Sequence, residues 1–240
     1  HMNKGKNILC TICARGGSEG VPGKNIKKIN GKPLIEYTIE MAKRIDRFDH
    51  IIVSTDSEEI ADIAKQAGAE VPFMRPSDMA SSTISKFPAL RHALIQSENH
   101  YNKEFECIVD LDPTSPLRIE RDIDNCIDLI LRDNVSNVIT AMHSRRSPYF
   151  NLIEKDVNGK IVISKSIDPS PTCRQDSPQC YDMNASIYAW KKNVLMENEI
   201  PIFLDSTELY VMPEERSIDI DTEIDASFVA FLLNKRNTKT

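Results

Sequence analysis

Apolar residues in this chain gather in short runs the length of a buried strand, and the stretches between them carry the three-to-four-residue spacing of an amphipathic helix. Residues 7–13 are the first run, followed by a helix over 33–45. Residues 50–54 then read as a strand, 57–67 as a helix, 70–73 as a short strand, 86–99 as a helix and 106–111 as a strand. A helix over 120–132 and a strand over 137–141 complete the alternation. Runs that are apolar throughout belong to strands covered on both faces, so the pattern predicts an α/β fold with a doubly wound, mostly parallel sheet. Ser54-Thr55-Asp56 is read only as the turn into the next helix.

The alternation breaks at residues 143–182. Asn158-Gly159 has the composition of a hairpin turn, and residues 168–178 are rich in Pro, Ser and Asp. The segment is read as an insert in a single domain spanning 3–240. Its Tyr149, Phe150, Leu152 and Ile153 supply apolar surface for a homodimer contact, with a solitary packed subdomain as the alternative. Strands are expected again at 185–190 and 209–212, and a closing helix at 222–236.

Composition narrows the function classes. A net charge of -6 with no long Lys/Arg run argues against recognition of nucleic acid through its phosphates. No apolar stretch reaches the roughly 18 residues of a membrane span, and no charged-then-apolar leader pattern is present, which leads to the expectation of a cytoplasmic protein with no membrane partner. Of the six cysteines, Cys10, Cys13, Cys107 and Cys126 sit in apolar runs and read as small hydrophobes rather than as a metal or disulfide framework. Cys10 and Cys13 are spaced C-x-x-C, but on a strand such residues point to opposite faces and cannot chelate one ion.

Candidate chemistry begins where the first run ends. Ala14-Arg15-Gly16-Gly17-Ser18-Glu19-Gly20-Val21-Pro22-Gly23-Lys24-Asn25 places four glycines and two cations at the carboxyl end of a strand, where open α/β sheets bind ligands. Glycine N–H groups can converge on an anion, Arg15 can fork onto phosphate oxygens and Lys24 can add a point charge. A glycine pair alone would read as an ordinary surface loop; both cations together point to phosphate. The loop is neither a Walker A sequence nor a G-x-G-x-x-G turn. Asp219 and Asp221, two apart in an extended segment, face one side and can share a hard cation completed by water and phosphate oxygens. The alternative is that Asp221 or Thr222 caps the last helix, with Thr222 and Asp225 as a near capping box, and the two roles are compatible.

The wording Ile12-Cys13-Ala14-Arg15-Gly16-Gly17-Ser18 with Pro22-Gly23-Lys24-Asn25 resembles the acylneuraminate cytidylyltransferases. The resemblance continues through Val53-Ser54-Thr55-Asp56, Arg75-Pro76-Ser77-Asp78, Pro113-Thr114-Ser115-Pro116-Leu117-Arg118 and Ser217-Ile218-Asp219-Ile220-Asp221-Thr222-Glu223. It implies the nucleotide-diphospho-sugar transferase type of fold with a small dimerisation insert. It also implies attack by the anomeric hydroxyl of a nine-carbon 2-keto sugar acid on the α-phosphate of CTP, with pyrophosphate leaving. By that resemblance Ala14, Gly16, Gly17 and Asn25 help bind the nucleotide, Arg15 and Lys24 neutralise developing charge, and Asp219 and Asp221 hold Mg²⁺. Asp221 or a bound water takes up the hydroxyl proton. Arg75 is the candidate for a base contact, or else a surface arginine beside a turn; Lys86 faces the nucleotide or starts a helix. His143 is a possible base or a plain end-of-strand residue.

Asp112, Thr114 and Ser115, at the carboxyl end of a central strand, can reach the sugar side, although Asp112 also suits a turn before Pro113. Sialic acid enzymes usually carry Gln at the position of Asp112 and a cation at that of Asp182. These departures, with Cys180-Tyr181-Asp182-Met183-Asn184-Ala185-Ser186-Ile187-Tyr188 and Arg145-Arg146-Ser147-Pro148-Tyr149-Phe150-Asn151-Leu152-Ile153, look most like the legionaminic acid branch. That sugar carries N-acyl groups whose N–H donors suit a carboxylate acceptor. Family spacing assigns Arg174 to the sugar carboxylate and Asn184 to hydroxyls; a surface arginine and a strand-entry asparagine are the plainer readings. The resulting expectation is a Mg²⁺-dependent cytidylyltransferase for N,N'-diacetyllegionaminic acid. The same chemistry on N-acetylneuraminate is one alternative, and a catalytically silent nucleotide-binding regulatory module is another.

Overall fold

The computed structural model describes residues 7–17, 20–21, 23–80, 86–197 and 202–238, so Ser18, Glu19 and Pro22 of the glycine-rich loop lie outside the described residues. In chain order the elements are β1 (Ile8–Cys13), β2 (Lys28–Ile29), β3 (Lys32–Pro33), α1 (Leu34–Arg44), β4 (His50–Ser54), α2 (Glu58–Ala67), α3 (Lys86–Tyr101), β5 (Cys107–Leu111) and α4 (Glu120–Ile130). They continue with β6 (Asn137–His143), β7 (Ile153–Lys155), β8 (Ile161–Ile163), β9 (Tyr181–Met183), β10 (Ile187–Lys191), α5 (Lys192–Leu195), β11 (Thr207–Val211) and α6 (Glu223–Asn237).

The central sheet has the strand order β11-β6-β10-β5-β1-β4, with β9 also paired to β6. β1 runs parallel to β4 and β5, and β6 parallel to β11. β10 opposes both β5 and β6, and β9 opposes β6. The fold is therefore α/β with a mostly parallel sheet.

Strand alternation divides the core in two. Ile8, Cys10 and Ile12 of β1 and Val109 of β5 face α1, α2 and α4, meeting Ile39, Ala64 and Ile127. Leu9 of β1, Ile108 of β5 and Trp190 of β10 face the other way, against Leu90 and Leu94 of α3. Cys10 and Cys13 accordingly pack on opposite faces, and all six cysteines are free. A third cluster joins Val21, Leu117 and Ile220 to Leu34, Val229 and Leu233. It ties three loops to α6, and each of those three side chains is worth about 1.5–3 kcal/mol of apolar burial as an upper estimate.

Local caps fix the helix ends near the cleft. Ser57 Oγ accepts the Ile60 N–H at 3.3 Å, and α2 stops at Gly68, whose φ of 101° suits the left-handed region. α6 starts with a complete capping box: Thr222 Oγ1 accepts the Asp225 N–H at 3.2 Å while Asp225 accepts the Thr222 N–H at 3.0 Å.

Several expectations need correction. Residues 70–73 form no strand, only a bridge between Glu70 and Ile52, because Pro72 has no N–H to continue a ladder. β6 runs on through His143, so the departure from alternation begins one residue later. The strand expected at 185–190 begins at Ile187, and the chain before it is kinked, with Ala185 at φ 52°. The strand expected at 209–212 is Thr207–Val211. The Asn158-Gly159 turn does join a hairpin, β7 to β8, whose Ile153, Val157 and Ile161 are exposed. No helix among the described residues is long and apolar enough to cross a membrane.

Candidate active site

The glycine-rich loop leaves β1 at the carboxyl edge of the sheet. Its first turn is held from the side: the Gly16 N–H donates to Asp56 Oδ1 at 2.8 Å, and the Ala14 N–H donates to the Ser54 carbonyl at 2.9 Å. Asn25 Nδ2 donates to the Arg15 carbonyl at 3.0 Å, closing the loop on itself, while the buried Asn25 Oδ1 has no partner. Gly23, at φ 62°, turns the chain into the short 3-10 helix that carries Lys24 and Asn25. Val21 is the loop's apolar anchor. Arg15 and Lys24 are partly exposed, and neither makes an ion pair among the described residues.

The acidic pair lies against this loop. A Cβ on Gly20 would stand 2.1 Å from the Asp221 carbonyl oxygen, so the two backbones approach as closely as only glycine allows. The Ile220 N–H donates to the Thr114 carbonyl at 2.9 Å and its side chain is buried, which places Asp219 and Asp221 on the opposite side of the extended segment from the core. The Asp221 N–H is pinned by Asp225 at 3.0 Å, so the helix cap also fixes the acidic pair. Asp219 accepts a short hydrogen bond from Ser115 Oγ. Burial, with the neighbouring carboxylates of Asp112 and Asp221, pushes the Asp219 carboxyl up to about 7, against the opposing effects of Ser115 and Arg118. Two crowded carboxylates are a donor set that a divalent cation would relieve. The described residues contain no group of three or more such ligands, so water and phosphate oxygens would have to complete the shell, as Mg²⁺ prefers.

Beside this pair, Asp112 accepts both the Thr114 N–H (2.9 Å) and Thr114 Oγ1 (2.8 Å) on one oxygen, and its other oxygen lies 3.3 Å from Lys86 Nζ. Burial raises the Asp112 carboxyl, but Lys86 and Thr114 outweigh it and hold the group below its ordinary value. Lys86 also meets Asp110 at 2.7 Å. Burial alone would lower the Lys86 ammonium; the two carboxylates raise it, so it stays charged. The turn carrying these residues is clasped by Arg118, which is fully buried. Its Nη1 donates to the carbonyls of Asp112 (2.9 Å) and Ser115 (2.7 Å) and reaches Ser186, and its Nη2 donates to Thr38 Oγ1 at 2.8 Å.

The remaining expected residues fall elsewhere. Arg75 is buried beside Cys13 and His92, with its Nε lacking a partner and its backbone N–H on the Thr55 carbonyl at 2.8 Å. Asn184 is buried and fully occupied: Oδ1 accepts Thr140 Oγ1 (2.6 Å) and the Ser186 N–H (3.2 Å), while Nδ2 donates to Ser217 Oγ at 3.2 Å. It holds the kink before β10. Arg174 and Asp182 both touch the exposed Arg145, through the Arg145 carbonyl at 3.2 Å and its N–H at 3.4 Å. They stand at the far end of β6, where β9 pairs with it and Asp182 lies opposite Met142, whereas Asp112 follows β5 on the other side of β10. Arg174 lines a cavity of about 490 Å³ with His143, Arg146 and Gln179. Three residues of the site, Thr11, Asp110 and Arg118, are not expected from the sequence, and Asp56 is expected only as a turn residue. Only Asp110, a charge inside an apolar strand, carried a signal.

A cytidylyltransferase family model matches residues 9–200. The chain is 47% identical over 230 residues to a Campylobacter jejuni subsp. jejuni protein named CMP-N,N'-diacetyllegionaminic acid synthase, with 96% of each chain covered. It is equally similar, 47% over 230 residues and 96% of each chain, to "Post-translational flagellin modification protein B" of Campylobacter coli. Among solved structures, a CMP:2-keto-3-deoxy-manno-octonic acid synthetase complexed with CTP shares the fold, with a TM-score of 0.70 at 18% identity over 96% of this chain and 100% of that chain. The chain belongs to the cytidylyltransferase family.

Proposed function

We propose that this protein transfers CMP from CTP to a nine-carbon 2-keto sugar acid, N,N'-diacetyllegionaminic acid, releasing pyrophosphate. The observation that carries the reading is the apposition of the loop bearing Arg15 and Lys24 with Asp219 and Asp221 at Gly20. The 47% identity to the Campylobacter jejuni synthase supports the choice of sugar.

In this reading the loop N–H groups of Ala14, Gly16 and Gly17, with Asn25, cradle the triphosphate. Arg15 and Lys24 neutralise the charge that builds on the departing pyrophosphate. The unpartnered Nε of buried Arg75 is available to an acceptor atom of the cytosine. The sugar's anomeric oxygen forms the new bond to the α-phosphorus as the bond to the β-phosphate oxygen breaks, and the hydroxyl proton passes to the Asp221 carboxylate. Asp219 and Asp221 would hold Mg²⁺, which when bound would supply charge neutralisation at the phosphates. Arg174 supplies a cation for the sugar carboxylate. The exposed β7–β8 hairpin supplies apolar surface for a homodimer.

Initial rates of pyrophosphate release from CTP test the reading, with N,N'-diacetyllegionaminate and N-acetylneuraminate as separate acceptors. A clear preference for the first supports it. Equal rates would overturn the sugar assignment, and no release with either would overturn the reaction.

A further inference from the structure

A carboxylate in the middle of a buried strand requires an explanation beyond folding. Asp110 is fully buried in β5 among Ile108, Val109 and Leu111. It lies in register with Thr11 of β1 and Tyr188 of β10, so the three side chains share the sheet face that α3 covers. Thr11 Oγ1 donates to Asp110 Oδ1 at 2.8 Å, and Lys86 Nζ sits 2.7 Å from Asp110 Oδ2 and 6.0 Å above the Tyr188 ring. The Lys86 ammonium then reaches Asp112 at 3.3 Å.

Stability does not account for this arrangement. A buried ion pair is often no better than apolar packing of the same volume. Lys86 is also the first residue of α3, where the helix dipole disfavours a cation, and the first turn of α3 carries no acidic residue. Geometry does account for it. Lys86 is a long side chain with four rotatable bonds, and a fixed carboxylate beneath it removes that freedom. Asp112, which is partly exposed beside Asp219, is then oriented from both sides, by Thr114 on one oxygen and Lys86 on the other.

We infer that Asp110, supported by Thr11, is a positioning residue that acts through Lys86 to fix Asp112 for selection of the acceptor sugar. The inference rests on the reaction proposed above. Asp110 contacts neither substrate itself. Asp112, held ionised and oriented, offers its remaining lone pairs to N–H or hydroxyl donors of the sugar acid and repels groups that present only acceptors.

The test is Asp110→Asn, which keeps the shape and removes the charge that anchors Lys86. KM for the acceptor should rise about tenfold or more, the order expected for loss of one charge-assisted contact, while KM for CTP stays within about twofold. The preference for N,N'-diacetyllegionaminate over N-acetylneuraminate should shrink by a similar factor. Thr11→Val should move the same ratio in the same direction by a smaller amount. Should Asp110→Asn fail to fold, Thr11→Val carries the test alone: it removes the hydroxyl that holds Asp110, and it should bind CTP normally by calorimetry yet show a reduced acceptor preference. Unchanged acceptor KM and preference in a folded variant would overturn the inference, as would equal losses for CTP and sugar. Wild-type protein that turns over no acceptor would instead overturn the reaction on which it rests.

Discussion

Gly20→Ala probes the contact on which the site is built. Gly20 has no left-handed backbone requirement, so the substitution acts through space alone. The new Cβ would lie 2.1 Å from the Asp221 carbonyl oxygen, whereas real Cβ atoms essentially never come within 3.0 Å, so one backbone must retreat by at least 0.9 Å. Gly20 and Asp221 are both exposed, which makes retreat inexpensive for the fold. Overpacking of this kind costs about 1–3 kcal/mol, or roughly 2–12 °C in Tm for a chain of this size. Catalysis should suffer far more. A misplacement of about 1 Å between catalytic groups lowers the rate on the order of 10²-fold. Pyrophosphate release measured across a Mg²⁺ titration should therefore show kcat/KM for CTP reduced about a hundredfold in a protein that still unfolds cooperatively. A folded Gly20→Ala protein within threefold of wild type would refute the view that loop and acidic pair work as one unit.

Other outcomes follow from the same geometry. Asp219→Asn should abolish metal-dependent turnover but stabilise the metal-free protein at pH 8. Because the folded carboxyl titrates near 7 rather than 3.8, the folded state binds its proton more tightly than the unfolded chain, and this group's effect is to lower stability as pH rises from about 4 to 7. The ceiling on that gain is roughly 4 kcal/mol at 1.36 kcal/mol per pH unit; urea unfolding at pH 5 and pH 8 should show wild type and variant diverging only at the higher pH, and parallel behaviour would contradict the crowding of the three carboxylates. Arg118→Met should destabilise by about 3–5 kcal/mol, since it strands the carbonyls of Asp112 and Ser115 in the interior. A loss below about 1 kcal/mol in denaturant unfolding would show that Arg118 is not the clasp of that turn.

The strands covered on both faces were the easiest part of the fold to read. β1, β4 and β5 are mostly apolar, interrupted inside the strand only at Thr11 and Asp110, and their limits fall within a residue or so of expectation. Short pairings that depend on tertiary partners were not readable: β9 is three exposed residues, Tyr181 to Met183, whose strand partner is β6. The β2–β3 hairpin was overlooked although Asn30-Gly31, at φ 51° and 81°, carried a usable turn signal. In the site, features contained in one stretch of chain could be recognised, such as the glycine-rich loop and the acidic pair two residues apart. Contacts between Thr11 and Asp110, 99 residues apart, leave no local pattern, and Asp56 looked like a turn residue because its role is to receive the Gly16 N–H from a different loop.

The most direct measurement is phosphorus NMR of CTP incubated with N,N'-diacetyllegionaminic acid and Mg²⁺ in the presence of the protein. A sugar-linked CMP phosphodiester and pyrophosphate are expected to appear in equal amounts, and neither when EDTA is added. CTP that stays intact, or that is hydrolysed without a sugar adduct, would contradict it.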